Sequence, residues 1–344
     1  ITDVTITSSS GFGLLLQRSR ADLARVTIGA TSVRAGDTRY SYSGSALALA
    51  DSSVARVSGL TARADNADTA YAVVVDRSSR LTALTGSSIN TKYQVNVLNG
   101  SGADSLLDNV FSTSRWVSPA SSIVSVHRDQ NALLVRGNTF TTPNISLFVS
   151  QGRIPMLLER NTFNGSGSVL QIVLSGDAAL RGNRFLQPPT GGGGTLVNVW
   201  APSPDTAHAV MTVVGNEFRS TGAGALNFGV SSIQLRADSN DFVYAGGSNS
   251  GLAGLYAWSD VPMQVAYNRF TGPWGYGARP NGGSGPGGVK IVRRNTVDSA
   301  AIAFSVEGYS ATIDSNVVRG GASGVVIQSG WTCYSATCVV TQNA

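Results

Sequence analysis

Short runs with an apolar residue at every second position recur along the chain, among them Leu133-Leu-Val-Arg, Met156-Leu-Leu-Glu and Val210-Met-Thr-Val. A second set lies upstream of these: Ile123-Val-Ser-Val, Ile145-Ser-Leu-Phe, Val169-Leu-Gln-Ile-Val, Leu196-Val-Asn-Val, Ile302-Ala-Phe-Ser-Val and Val325-Val-Ile-Gln. A period of two is that of a strand with one face buried. Runs of the first kind lead into a repeated tripeptide: Asn109-Val-Phe, Asn138-Thr-Phe, Asn161-Thr-Phe, Asn183-Arg-Phe, Asn216-Glu-Phe, Asn240-Asp-Phe, Asn268-Arg-Phe, Asn295-Thr-Val and Asn316-Val-Val. Successive copies stand 21 to 33 residues apart, the signature of a coil of minimal length with insertions.

Two or three short strands per repeat make one coil. The spacing therefore predicts an all-β chain, a single right-handed parallel β-helix of about 12–13 coils spanning residues 1–344. The Asn is expected to take the left-handed backbone of a sharp turn and to bond its amide to the coils above and below. The Phe after it points inward, so that Phe140, Phe163, Phe185, Phe218, Phe242 and Phe270 form an internal file. In the first hundred residues Gly is expected at the turn, in Val26-Thr-Ile-Gly29, Val57-Ser-Gly59 and Leu81-Thr-Ala-Leu-Thr-Gly86. Insertions near 187–208 and 272–288, including Gln187 to Gly194, Ala201 to His208 and Trp274 to Gly288, read as loops on one face.

Composition supports the repeat. With 40 Gly and only 13% charged residues, few positions remain to decorate the solvated faces of long helices. The net charge is +5, and Lys92 and Lys290 are the only lysines. Arg binds carboxylate and sulfate as a planar fork. Scattered Arg without a basic run argues for an anion-binding face or simple solubility, and against a nucleic-acid partner. Cys333 and Cys338 are expected to close a small disulfide loop in an oxidising compartment, and two Cys without a His cluster make a poor zinc site. No metal or cofactor is expected. The sequence has no run of 18 apolar residues and starts at Ile1, which points to a piece of an exported protein (secreted, periplasmic or at the cell surface) without a membrane span.

Gly324-Val-Val-Ile-Gln-Ser and Cys338-Val-Val-Thr-Gln-Asn343 resemble the carbohydrate-binding and sugar-hydrolase repeat of the pectin-lyase-like superfamily of right-handed β-helices. Gly13-Leu-Leu-Leu-Gln and Ala46-Leu-Ala-Leu-Ala-Asp51 look like the passengers of bacterial autotransporters. The resemblance implies the fold, while activity varies widely on that fold.

In a solenoid, residues at one offset from the turn stack into a line. Eight to eleven positions before each turn, by count along the sequence, stand Arg18 and Arg20, Asp51, Asp76 with Arg77, Asn99, His127 with Arg128 and Asp129, Gln151 with Arg153, Asp205 and His208, Trp258 with Asp260, and Glu307. Superfamily members that act on polyuronates keep their sites at this edge. In alginate epimerases a D-P-H-D motif places its His eleven residues before the turn Asn, and His127 stands so before Asn138; Val126-His-Arg-Asp129 lacks the motif's first Asp and its Pro. The resemblance thus implies His127 as a base, with Asp129 beside it. Abstraction of a uronate C5 proton also needs a cation on the carboxylate, for which Arg128, Arg153 and Arg77 are candidates, and an acid, for which Tyr93 or Tyr71 would serve.

Asp76, Arg77, Asn99 and Gln151 would line the groove. A hydrolase is disfavoured because no Asp-Asp pair occurs, and a calcium-dependent lyase because the only glutamates are Glu159, Glu217 and Glu307. Trp200, Trp258, Trp274, Tyr276 and Trp331 are candidate stacking surfaces for sugars, with packing as the alternative. The expectation is an exported protein acting on an anionic polysaccharide by lyase or epimerase chemistry. The alternative is a non-catalytic adhesin, passenger or polysaccharide-binding solenoid.

Overall fold

The computed structural model describes residues 1–32, 44–63, 71–91, 93–98, 100–113, 124–127, 132–143, 145–150, 155–174, 176–189, 192–201, 209–247, 251–282, 288–307, 310–327, 338–341 and 343–344. None of them is helical. The chain divides into two compact units, 1–165 and 166–344. Each is a parallel β-solenoid in which every coil contributes to three sheets.

In the first unit one full coil runs through Leu133–Arg136, Thr139–Thr142 and Leu147–Ser150. The next returns through Met156–Glu159 and Thr162–Gly165, pairing Leu133 with Met156 and Phe140 with Phe163. In the second unit Ala178–Arg181, Arg184–Leu186 and Thr195–Trp200 are followed in register by Val210–Val214, Glu217–Ser220 and Gly224–Gly229. Short insertions at the corners change coil length without shifting these registers.

The interior is a stack of like on like. Phe111, Phe140 and Phe163 in the first unit, and Phe185, Phe218, Phe242 and Phe270 in the second, are fully buried. Their rings lie 4.7–4.9 Å apart and nearly parallel. That distance is the coil spacing itself, so each ring inherits its stacking geometry from the strand ladder.

From Asn109 onward, within each unit, the asparagines form the expected ladder. Asn216 donates from its backbone N–H and from Nδ2 to the Oδ1 of Asn240, at 3.0 and 2.9 Å, and Nδ2 also reaches the Leu180 carbonyl. Asn343 continues the ladder below Asn316.

The left-handed residue, however, is not the Asn but the one before it. Positive φ occurs at Asp108, Gly137, Arg160, Gly182, Gly215, Ser239, Tyr267, Arg294 and Ser315. The Asn must point its amide inward to reach the next coil, so the preceding residue reverses the chain. Gly59 and Gly86 fill this place in the early coils, but Gly29 does not. It lies within Thr27–Ser32, where a Cβ would collide with the Thr7 carbonyl, and the turn is made by Arg25 at φ 51°.

The stretch 272–288, expected as a loop, contains the strand Tyr276–Asn281. Pro280 disguises it because proline is ordinarily kept out of sheet interiors. Here Pro280 pairs with Ala257, and its carbonyl still accepts from Glu307 N–H.

Candidate functional site

In the first unit the exit end of the third sheet carries a polar cluster at the expected offset. Gln17 Nε2 donates to Asp51 at 2.7 Å, and Arg77 lies 3.4 Å from Asp51 and 3.7 Å from Asp76. The Gln17 hydrogen bond, aided by Arg77 and by the Arg18 charge, holds the Asp51 carboxyl below its usual range against a smaller desolvation effect. These groups largely satisfy one another, as a solvated salt-bridge cluster does.

The backbone of His127 closes the strand Val124–His127, opposite Ser150. Arg128, Asp129, Asn99, Gln151, Arg153, Asp205, His208, Trp331 and Cys333, and with Cys333 the expected disulfide to Cys338, lie outside the described residues.

Tyr93 is at the other end of this sheet. It opens the strand Tyr93–Val97 and pairs with Tyr71, with ring centroids 5.2 Å apart. Val97 is in register with Val126, so Tyr93 stands five positions, about 16 Å along the strand, from the level of His127. The fold does not bring the two together. Burial, followed by the neighbouring Tyr93, raises the Tyr71 pKa. Between these ends the sheet is closed on both faces: all of Leu47–Ala50 is buried, and the outward Ala48, Ala50 and Val74 pack with Phe12, Leu15 and Leu98.

The second unit presents a different face. In Thr195–Trp200, Gly224–Gly229, Ala253–Trp258 and Tyr276–Asn281 the register aligns Asn198, Asn227, Tyr256 and Arg279 in one outward file. Two residues on, Trp200, Gly229, Trp258 and Asn281 form a second file. The inward partners Val199, Phe228 and Ala257 are fully buried.

Beside the first file opens a cleft of ≈ 280 Å³ lined by Thr195, Gly224, Asn227, Tyr256, Tyr276 and Arg279, among others. The Arg279 guanidinium carbon lies 5.6 Å from the Tyr256 ring centre and 5.2 Å from that of Tyr276, within cation–π range of both. With the Asn281 amide turned so that its oxygen faces Arg279, Nε donates to it at 3.0 Å. Asn227 Nδ2 donates to Asn198 Oδ1 at 2.7 Å.

Small residues open the cleft at Thr195, Gly224 and Ala253, and the Gly-rich insertion borders it. Gln187 anchors that border. Its buried Oε1 accepts from Ser220 Oγ, Thr221 N–H and Gly222 N–H, while Nε2 donates to the Gly192 carbonyl at 2.6 Å.

Trp258 is 41% exposed and Trp200 half-buried. Trp274, also a candidate stacking surface, is instead core: it is 1% exposed, 4.9 Å from Tyr244, with Nε1 toward the Phe242 carbonyl. Arg279, Tyr256, Asn227 and Asn198 escape a count back from the turn. Setting the six-residue strands side by side would have shown the column Asn, Asn, Tyr, Arg.

Comparisons with family models, curated proteins and solved structures gave no match.

Proposed function

We propose that this protein is an exported solenoid that binds an anionic polysaccharide without chemically altering it, through the cleft around Arg279. The observation that carries the reading is the guanidinium held against two tyrosine rings. The two rings hold the guanidinium in place, and a guanidinium pairs with a carboxylate or sulfate in the bidentate geometry that arginine favours. The Asn198–Asn227 amide pair and the Thr195 hydroxyl supply neutral partners suited to sugar hydroxyls. Among the described residues, those lining the cleft include no histidine, carboxylate or lysine, and its polar groups are those of Thr195, Asn227, Tyr256, Tyr276 and Arg279. Membership of the pectin-lyase-like superfamily belongs to the same proposal, supported by the three parallel sheets and the Asn ladder.

The lyase or epimerase reading stands second. It is favoured by the backbone position of His127 at the strand exit, at the edge that bears Asp76 and Arg77. Titration calorimetry with polygalacturonate and alginate oligosaccharides, at low and high salt, tests the first reading. The expected result is binding that weakens with salt and falls further in Arg279→Ala, with no absorbance from unsaturated uronate and no change in the product NMR spectrum. Turnover would restore the enzymatic reading; absence of any binding would remove the glycan reading.

A further inference from the structure

We propose that the file Trp200, Gly229 and Trp258 is a stacking subsite for pyranose rings, so that an acidic glycan lies along the coil axis of the second unit with a carboxylate at Arg279. This rests on the Arg279 cleft being a glycan site, and adds the direction in which the chain runs and the groups that hold its apolar faces.

The register pairs Trp200 with Gly229 and Gly229 with Trp258. Two indoles therefore flank a position without a side chain, and their points of attachment are two coils, about 10 Å, apart. Gly229 is exposed, and the nearest atom to a Cβ built there would be the Val199 carbonyl oxygen at 3.9 Å. Among the described residues, no other atom beyond its chain neighbours comes within 4 Å of that position.

Trp258 is supported from the opposite side. Gly282, at φ 94°, lies so close that a Cβ would come within 2.9 Å of the indole Nε1. A ring backed by backbone loses little freedom on binding, which favours affinity. Trp258 is two residues beyond Tyr256, the partner of Arg279, so the indole and the guanidinium start about 8 Å apart on adjacent coils. Neighbouring residues of one glycan chain would span that distance, one presenting its carboxylate and the next its C–H face.

The test is calorimetric binding of polygalacturonate and alginate oligosaccharides to wild type, Trp258→Ala, Trp258→Phe, Gly229→Leu and Arg279→Ala, with melting curves confirming that each is folded. Trp258→Ala is expected to lose about tenfold in affinity, and Trp258→Phe to retain most of it. Gly229→Leu is expected to lose a similar factor although it adds apolar surface, because it fills the position between the indoles. If Trp258→Ala and Gly229→Leu bind like wild type while Arg279→Ala is weakened, the stacking subsite is refuted and the glycan reading survives. If wild type binds neither polyuronate, both fall.

Discussion

Asn109 and Asn138 stand one above the other in successive coils, and the backbone N–H and the side-chain amide of Asn109 both donate to one Oδ1 of Asn138, at 3.0 and 2.9 Å. The same double donation recurs from Asn138 to Asn161 in the first unit and from Asn183 to Asn216 in the second, so each of these rungs satisfies the rung before it. Asn138→Ala would strip two buried donors of their acceptor and leave the Leu106 carbonyl, now met by Nδ2 at 2.8 Å, without its donor. Unpaired buried groups cost about 1–3 kcal/mol each, so chemical denaturation should show a loss of roughly 3 kcal/mol. A loss below about 1 kcal/mol would mean that water replaces the amide and that the ladder contributes little.

Phe163 is fully buried, with its ring 4.7 Å from that of Phe140 and inclined by only 1°. Phe163→Ala should destabilise by roughly 3–5 kcal/mol, because a file fixed by coil spacing cannot close over the gap. Phe163→Leu should cost markedly less, and equal costs would place the energy in something other than buried volume.

Arg160 makes its turn at φ 53°, where Gly137 serves one coil earlier at φ 69°. A left-handed backbone costs a non-glycine residue roughly 1–2 kcal/mol, offset in part by the freedom glycine adds to the unfolded chain. Arg160→Gly should therefore leave stability unchanged or raise it by up to about 1 kcal/mol. A clear decrease would assign the Arg160 side chain a stabilising role.

Lys290 points into the core of the second unit, with Nζ donating to the Ser259 and Val261 carbonyls at 2.7 and 3.4 Å. Desolvation lowers its pKa from 10.5 to about 8, with Asp260 opposing in part. Below about pH 8 both folded and unfolded chains carry the proton, and the burial penalty is fully present. Between about 8 and 10.5 the folded protein sheds a proton that the unfolded chain keeps, so stability should rise with pH by about 3 kcal/mol from this group. Urea midpoints across that range should climb in wild type and flatten in Lys290→Met. An equal slope in both proteins would assign the rise to another group.

What the sequence determined by itself is whatever repeats once per coil. A strand alternates faces with a period of two, and a parallel stack places each residue over its equivalent, so Phe111, Phe140 and Phe163 had to meet, as did the asparagines that precede them by two. The turn was legible in place but not in mechanism: Asn109 and Asp108 are both ordinary turn residues, and only the need to aim the amide inward assigned the left-handed backbone to Asp108. The candidate site was decided by tertiary structure. Trp200 and Trp258 are separated by corner insertions of unequal length, so no offset from a turn reveals that both flank Gly229. The half-burial of Arg279 beside Tyr256 and Tyr276 depends on two strands from successive coils coming into register, and the burial of Trp274 on a neighbouring coil bringing Tyr244 against it. Distance along the chain counts residues in loops and strands alike, whereas the hydrogen-bonded ladder aligns strands only.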